Sequence, residues 1–347
     1  MHTILLIQTG GTIGSNTKKN IVNVSKKNFI KSFLLKNIKK KIDYKIYHPI
    51  NILSENASPN DWNNIIKCIE KNWKNEYSGI IITHGTDTLS YAASALSQYF
   101  YNFNKPIIIV SSDKRIEDKN STGIFNLKAA INFISNIQLP GIYVPYKNPR
   151  NNFVSFFIGS RVKQINAYNN ELNARFSNTF CVYKKNKFIF IKEKNPSILS
   201  IKKNCNSSLL NKKFKFTNKI LMINPYPGLN YETYNLNKIK PKAILHTLYH
   251  SGTASTKNNY EKKLSLSKFI KKNKSKNIPF YISPLSNKNK NIYESLKILL
   301  NLNVRCLEGI TVESAYAKLA LAYGSFVNEK DRNNFLKKNN FFEKIYF

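Results

Sequence analysis

TILLIQTGGT, residues 3–12, is the stretch around which the rest of the chain is organised. The apolar run Thr3–Gln8 is too short for a helix and ends at two glycines, which predicts a buried strand of a parallel sheet. Two adjacent glycines allow positive φ and a close approach to a ligand, with their N–H groups exposed. Thr12 and Ser15 follow at the carboxyl end of the strand, where open α/β sheets bind ligands.

The same pattern occurs a second time, in Gly79–Thr83 followed by His84-Gly85-Thr86-Asp87-Thr88. If the two strands are parallel neighbours, Thr12, Thr86 and Asp87 emerge at one edge of the sheet and converge there. Two hydroxyls and a carboxylate in a glycine-lined pocket suit an activated threonine nucleophile with amide oxyanion donors. The alternative is a pair of ordinary strand-to-helix turns in which Thr12 and Thr86 cap helices. The presence of two such loops favours a site.

The composition indicates a globular protein with a large positive charge. A length of 347 residues with 42% hydrophobic residues predicts two domains, each with its own core. The net charge of +36 comes from 49 lysines against only 6 arginines. Lysines spread along the whole chain are typical of the codon bias of an AT-rich genome, whereas nucleic-acid surfaces favour clustered arginine. We therefore predict no specific nucleic-acid partner.

The cysteines and the hydropathy pattern indicate a cytoplasmic location. No CxxC pair and no His/Cys spacing typical of a metal site occurs, which predicts free thiols in a reducing compartment. The amino-terminal residues lack the features of a signal peptide, and no stretch is long and apolar enough to span a membrane. We predict no metal and no membrane association. The four cysteines are Cys68, Cys181, Cys205 and Cys306.

The order of predicted elements divides the chain into two α/β domains. Apolar strand patterns alternate with helical patterns over about the first 150 residues, and one helix is predicted from Ser25 to about Leu35. This alternation predicts a doubly wound parallel sheet. Residues 194–218 are rich in Lys, Asn and Ser and lack a clear period, so they are the predicted linker. We predict a larger N-terminal domain over 1–193 and a smaller C-terminal α/β domain over 219–347.

Two motifs together resemble the bacterial asparaginase family, and most closely its cytoplasmic (type I) members. They are QTGGTIG at Gln8–Gly14 and ITHGTDTLSYAASAL at Ile82–Leu96. The resemblance extends more weakly to SPNDW from Ser58 and to Thr311-Val312-Glu313-Ser314. It implies a large N-terminal and a smaller C-terminal α/β domain, a homodimer or homotetramer, no cofactor, and a small amide such as asparagine as substrate.

The resemblance also implies a role for each motif residue. Thr12 would attack the side-chain amide carbonyl and form a β-aspartyl ester, which water would then cleave. Thr86 would position that water, and Asp87 would bind the α-ammonium group of the substrate. Gly11 and its neighbours would supply the N–H groups that stabilise the oxyanion. Ser54, with Glu55 beside it, would hold the substrate carboxylate.

Four positions depart from the family pattern. Ile21 stands where the family has a tyrosine, and Gln164 stands where it has a lysine, with Lys163 as the neighbour. Ser121-Thr122-Gly123 replaces Ser-Asp-Gly, and Leu53-Ser54 replaces Asp-Ser before the substrate loop. A threonine hydroxyl needs a base to remove its proton, so these changes affect turnover more than fold.

Three functions remain compatible with the sequence. The first is hydrolysis of asparagine or a similar amide, and the second is an asparaginase-fold protein with weak or lost catalysis. The third is the asparaginase-like subunit of a tRNA-dependent amidotransferase, which is disfavoured because that subunit has an extra domain before its Thr-Gly-Gly-Thr loop. Residues 246–253 (HTLYHSGT) follow a strand of the C-terminal domain. They predict a loop at a subunit interface or, alternatively, an edge of the active site or an effector pocket.

Overall fold

The computed structural model describes residues 2–18, 21–24, 34, 42–175, 178–208, 213–257, 262–285 and 292–345. The chain forms two compact units. The first contains Met1–Phe214 with Asn340–Phe342, and the second contains Lys215–Asn339 with Glu343–Phe347. The helix predicted from Ser25 to Leu35 lies outside the described residues except for the buried, helical Leu34.

The first unit is built on an eight-stranded sheet in the order β10-β9-β8-β7-β6-β5-β1-β4, with a separate β2–β3 hairpin. Five strands (β7, β6, β5, β1 and β4) are mutually parallel, and β8, β9 and β10 extend the sheet in antiparallel pairs. The strands are β1 (His2–Gln8), β2 (Ser15–Lys18), β3 (Ile21–Val24), β4 (Ile42–Tyr47), β5 (Gly79–Thr83), β6 (Pro106–Val110), β7 (Gly141–Tyr146), β8 (Val154–Ile158), β9 (Cys181–Lys184) and β10 (Lys187–Phe190).

The central strands are buried along their whole length, which explains their uniformly apolar sequences. Every residue of β5 and β6 is buried, as expected for parallel strands covered on both faces. The helices of this unit are α1 (Pro59–Asn72), α2 (Leu89–Tyr99), α3 (Thr122–Asn132) and α4 (Ile198–Asn204). α1 begins directly after Ser58, because Ser58 and Asp61 form a capping box and Pro59 occupies the first helical position.

The second unit contains a four-stranded parallel sheet in the order β11-β12-β13-β14. The strands are β11 (Ile220–Ile223), β12 (Ala243–Thr247), β13 (Phe280–Leu285) and β14 (Arg305–Glu308). The helices are α5 (Leu236–Ile239), α6 (Leu266–Lys272), α7 (Glu294–Leu300), α8 (Val312–Ser325) and α9 (Glu329–Lys337). This architecture confirms the predicted fold class of a larger doubly wound α/β domain with a smaller α/β domain.

A buried ion pair fixes α8 within the second unit. The Lys318 ammonium lies 2.6 Å from the Glu343 carboxylate, and both side chains are fully buried. Lys318 also donates to the Lys338 carbonyl and lies over the Phe335 ring. Burial lowers the pKa of Lys318, and the charge of Glu343 opposes that shift. Removing one partner of such a pair leaves an uncompensated buried charge, which costs about 3–5 kcal/mol.

The residues expected to form a linker contain regular structure. α4 lies within 194–218, begins at the N-cap Ser197 and buries Ile201. The division between the two units falls after Phe214, inside the same stretch. Among the residues described, no helix has the length and apolar character needed to cross a bilayer.

Candidate active site

The loops that follow β1 and β5 leave the sheet at the same edge. The two strands are parallel neighbours, and Gln8 pairs in register with Thr83. The Thr9 hydroxyl donates to the Thr83 carbonyl at 2.7 Å and joins the bases of the two loops. A third segment reaches this edge from β4, because Gly10 forms a bridge with Ile52. The predicted convergence of the two motif loops therefore follows from the order of the strands.

Close backbone contact between the loops explains why glycines stand at these positions. Gly11 has a φ of +74°, and a Cβ there would lie 2.4 Å from the Gly85 nitrogen and 2.5 Å from its Cα. A Cβ on Gly85 would lie 2.4 Å from the Ser54 hydroxyl oxygen. All three distances are shorter than any ordinary contact of a Cβ atom, so neither glycine can be replaced unless its neighbours move. Gly11, Gly85 and Ser54 are thus packed against one another in a single layer.

Ser54 and Asp87 form the polar centre of this layer. The Ser54 hydroxyl donates to the Asp87 carboxylate at 3.2 Å and accepts from the Asp87 amide at 3.2 Å. The Thr88 hydroxyl donates to the Ser54 carbonyl at 2.8 Å. Ser54 is buried, while Asp87 is exposed. The buried serine therefore orients a carboxylate that remains open to a ligand.

The other predicted site residues belong to the three segments that meet at this sheet edge. Thr12 is half-buried and is the first residue of a 3₁₀ turn, Thr12–Gly14, directly after the glycines. Thr86 is half-buried in the second loop, one residue before Asp87. Glu55 is exposed beside Ser54. The structure thus places Thr12 and Thr86 on adjoining loops at one sheet edge.

Gln164, at the position of the family lysine, contacts the second loop. Its Nε2 donates to the Asp87 carbonyl at 2.6 Å, and its Oε1 accepts from the Ser90 hydroxyl at 3.2 Å. Lys163 is exposed, and its amide donates to the Asn173 carbonyl at 2.9 Å. Gln164 therefore lies where a lysine would meet the Thr86–Asp87 segment, but it provides a neutral amide.

His84 is a buried histidine at the base of the second loop. It is buried, and its Nδ1 lies 2.9 Å from the Gly85 carbonyl. A carbonyl only accepts, so Nδ1 carries the proton in this contact. Burial lowers the pKa of His84, which keeps the ring neutral. The sequence signal that could have drawn attention to His84 is its position directly before Gly85-Thr86-Asp87.

The loop after β6 packs against the first loop and explains one departure from the family pattern. The Ile116 amide donates to the Ile13 carbonyl at 3.3 Å. Asp113 accepts from the Thr122 amide at 3.0 Å and from its hydroxyl at 2.5 Å. An aspartate at position 122 would place a second carboxylate against Asp113, so the threonine fits the local charge.

Two further predictions concern Ile21 and the loop 246–253. Ile21 belongs to β3, and its side chain lies outside the described part of the structure.

In the second unit, His246 is fully buried with its Nε2 at 2.8 Å from the Tyr231 hydroxyl. Burial lowers the pKa of His246 to about 4. The described part of the chain holds no group of three His, Cys, Asp or Glu residues able to bind a metal ion.

Comparison with known proteins identifies the family. Residues 3–178, about half of the chain, match the family model described as Asparaginase, N-terminal. A glutamyl-tRNA(Gln) amidotransferase subunit of Methanococcus vannielii is 27% identical over 353 residues, covering 98% of this chain and 78% of that protein. The corresponding protein of Thermoplasma volcanium is 34% identical over 134 residues, which span 38% of this chain and 32% of that protein. L-asparaginase of Thermococcus kodakarensis is 35% identical over 118 residues, which span 34% of each chain.

The fold comparison agrees with the sequence comparison. The solved structure of the thermostable L-asparaginase from Thermococcus kodakarensis superposes with a TM-score of 0.79 at 22% identity, covering 99% of this chain and 100% of that one. At this identity the likeness shows the fold alone. The family match, the shared fold and the two glycine loops lead to one conclusion: the chain belongs to the asparaginase family.

Proposed function

We propose that this asparaginase-family protein hydrolyses the side-chain amide of L-asparagine to give L-aspartate and ammonia. The supporting observation is the packing of three loops into one layer. The Thr-Gly-Gly-Thr loop meets the second loop at Gly11 and Gly85, and Ser54 holds Asp87 toward the same edge. These contacts support the proposal because they bring the loop that carries Thr12 against the loop that carries Thr86 and Asp87.

The reaction that we propose has two steps. In the first, the Thr12 hydroxyl oxygen attacks the amide carbon while its proton passes to the departing ammonia, and a β-aspartyl ester forms. In the second, Thr86 orients a water that cleaves the ester, which returns the proton to Thr12 and releases aspartate. The Gly11 N–H itself donates to the Ile52 carbonyl at 2.9 Å. We therefore propose that its neighbours in the Thr-Gly-Gly-Thr loop supply the N–H groups that stabilise the oxyanion. Asp87 is the proposed partner of the substrate ammonium, and Ser54 orients it by donating its one hydroxyl proton to the carboxylate. The exposed Glu55 carboxylate suits the ammonium and would repel the substrate carboxylate, so we assign it to the ammonium side.

The proposal includes weak turnover. Gln164 occupies the lysine position with a neutral amide, and a neutral amide cannot lower the pKa of a neighbouring hydroxyl. Loss of one general acid–base contribution costs about 10²–10⁴ in rate. In the limiting case turnover is lost altogether, and the protein keeps the asparaginase fold and binds an amino acid without hydrolysing it. We also propose a cytoplasmic homodimer or homotetramer that uses no cofactor.

A second candidate function is a role within a tRNA-dependent amidotransferase. It is favoured by the match to the glutamyl-tRNA(Gln) amidotransferase protein of Methanococcus vannielii, which covers 98% of this chain. In that case the isolated chain would release little ammonia from free asparagine, and addition of glutamyl-tRNA(Gln) with the remaining components of such an enzyme would raise the release.

The test is ammonia release from asparagine and from glutamine by the purified chain. Thr12→Ala should lower turnover by at least about 10³-fold, because the nucleophile is removed. Thr86→Ala should lower it by about 10²-fold or more. Thr233→Ala, an exposed threonine in the second unit, is the matched control and should keep wild-type activity. Asparagine turnover that survives Thr12→Ala, with an unchanged melting temperature, would show that the proposed mechanism is wrong.

A further inference from the structure

A basic groove lies wholly within the second unit, at the amino ends of its strands. We define it by Lys242, Lys274, Arg305, Tyr323, Phe326 and Arg332, and its volume is about 760 Å³. Lys242 immediately precedes β12, Arg305 begins β14, and Tyr323 lies at the end of α8. The volume falls in the range of small-molecule sites, about 300–1,000 Å³.

The charge of the groove is strongly unbalanced. Among its described lining residues, four cations (Lys242, Lys274, Arg305 and Arg332) face a single carboxylate, Glu329. Glu329 pairs with Arg305 through a short contact to one guanidinium nitrogen. Three cationic groups are therefore left without an acidic partner among the lining residues. An anion that enters the groove would meet a net positive charge.

Two arginines are held rigidly in the groove by aromatic rings. The Arg332 guanidinium lies 5.0 Å from the Tyr323 ring centroid, and that of Arg305 lies 5.7 Å from the Tyr281 ring. The two tyrosine hydroxyls are hydrogen-bonded to each other at 2.8 Å. Arginine is rare in this lysine-rich chain, and its planar fork suits phosphate better than an ammonium does. The arrangement pre-organises two phosphate-binding side chains.

Helix capping uses only part of this donor capacity. Lys242 donates to the Tyr323 carbonyl at 2.9 Å, and Arg332 donates through Nη1 to the carbonyls of Phe326 and Val327. These contacts stabilise the carboxyl end of α8. Arg332 Nε is buried and has no hydrogen-bond acceptor among the described residues. Because this nitrogen is buried, it does not count among the donors that a ligand in the groove could reach.

Apolar surface lies directly beside the cations. Phe326 is half-buried, and the neighbouring Val327 side chain is 96% exposed. Leu302 and Ile278 are half-buried apolar residues of the groove lining. We propose that the groove binds a small organophosphate that carries a planar ring, of the size and chemistry of a nucleoside diphosphate. The phosphates meet Arg332 and Lys242, with Arg305 beside them in its pair with Glu329, and the ring lies on the apolar part of the lining.

The experiment is titration calorimetry of the full chain with ADP at about 0.15 M salt, where long-range attraction by surface charge is screened. ADP should bind saturably at one site, and adenosine and inorganic pyrophosphate should each bind at least tenfold more weakly. Val327→Asp places a carboxylate in the groove without disturbing a packed residue, and it should weaken ADP binding at least tenfold. Arg332→Gln should weaken it similarly.

Two matched controls separate this site from general attraction to a protein of charge +36. Leu199→Asp adds the same charge at a 79% exposed position of the first unit. Lys271→Gln removes one exposed lysine outside the groove. Both should leave ADP affinity unchanged. Absence of saturable ADP binding, pyrophosphate binding as tight as that of ADP, or equal losses in Val327→Asp and Leu199→Asp would each overturn the proposal.

Discussion

Gly11→Ala tests whether the two motif loops form one site. The substitution places a Cβ 2.4 Å from the Gly85 nitrogen, whereas ordinary contact begins at 3.4 Å, so the loops must separate by about 1 Å. The residue must also keep a φ of +74°, which costs an L-amino acid about 1–2 kcal/mol. With a further overpacking cost, the free energy of unfolding should fall by about 2–5 kcal/mol.

The effect on turnover should exceed the effect on stability. A displacement of about 1 Å between reacting groups lowers the rate by about 10²-fold. Because the shift falls between the loops that carry Thr12 and Thr86, kcat for asparagine should fall by this factor even below the melting temperature. Ammonia release and urea unfolding of the same preparation measure both quantities.

Two other glycines serve as controls for this prediction. Gly14→Ala lies in the same loop, and a Cβ there meets no heavy atom within 4 Å, so both stability and kcat should remain close to wild type. Gly228→Ala has a φ of +84° and equally open surroundings, and it measures the backbone cost alone. If Gly11→Ala loses no more stability than Gly228→Ala and retains full kcat, the loop contact does not organise the site.

Two further predictions concern charge. Gln164→Lys should raise kcat for asparagine by about 10²-fold or more, because it places an ammonium against the Asp87 carbonyl. The control Asn60→Lys adds the same charge at an exposed position and should leave kcat unchanged. Burial lowers the pKa of His246 to about 4, so the unfolded chain binds a proton at this histidine more readily than the folded chain does. The free energy of unfolding should therefore fall by about 3 kcal/mol as the pH drops from 6.5 toward 4. Urea unfolding at pH 7 and pH 4.5 should show a smaller pH dependence for His246→Gln than for wild type.

The position of the site was predictable because it depends on local signals. Short apolar runs that end in glycine specify buried parallel strands, and parallel strands place their following loops at a common edge. Thr3–Gln8 and Gly79–Thr83 carried both signals, and the pairing of Gln8 with Thr83 matches the expected geometry. The capping box at Ser58 is also a local sequence signal, because all its parts lie within four residues.

Elements with weak local patterns were missed. β14 (RCLE) has four residues and no apolar alternation, and its place in the sheet comes from pairing with β13. α4 has seven residues, too few to establish a helical period, so its Lys- and Asn-rich sequence resembled a linker. Long-range polar contacts were also out of reach. Ser54 and Asp87 are 33 residues apart, and no sequence pattern indicates that the serine would both donate to and accept from this residue.

The structure separates binding from activation at this site. The group proposed to hold the substrate ammonium is Asp87, and its two hydrogen bonds with Ser54 do not depend on a charge at position 164. Gln164 donates to the Asp87 carbonyl at 2.6 Å, and this contact needs no charge, so a neutral amide can hold the second loop without providing an ammonium. The loss should therefore be found in kcat and not in KM. The comparison is between the wild-type chain and its Gln164→Lys variant. If the KM for asparagine is higher in the wild type than in the variant, Gln164 alters the binding geometry, contrary to the contacts in the structure.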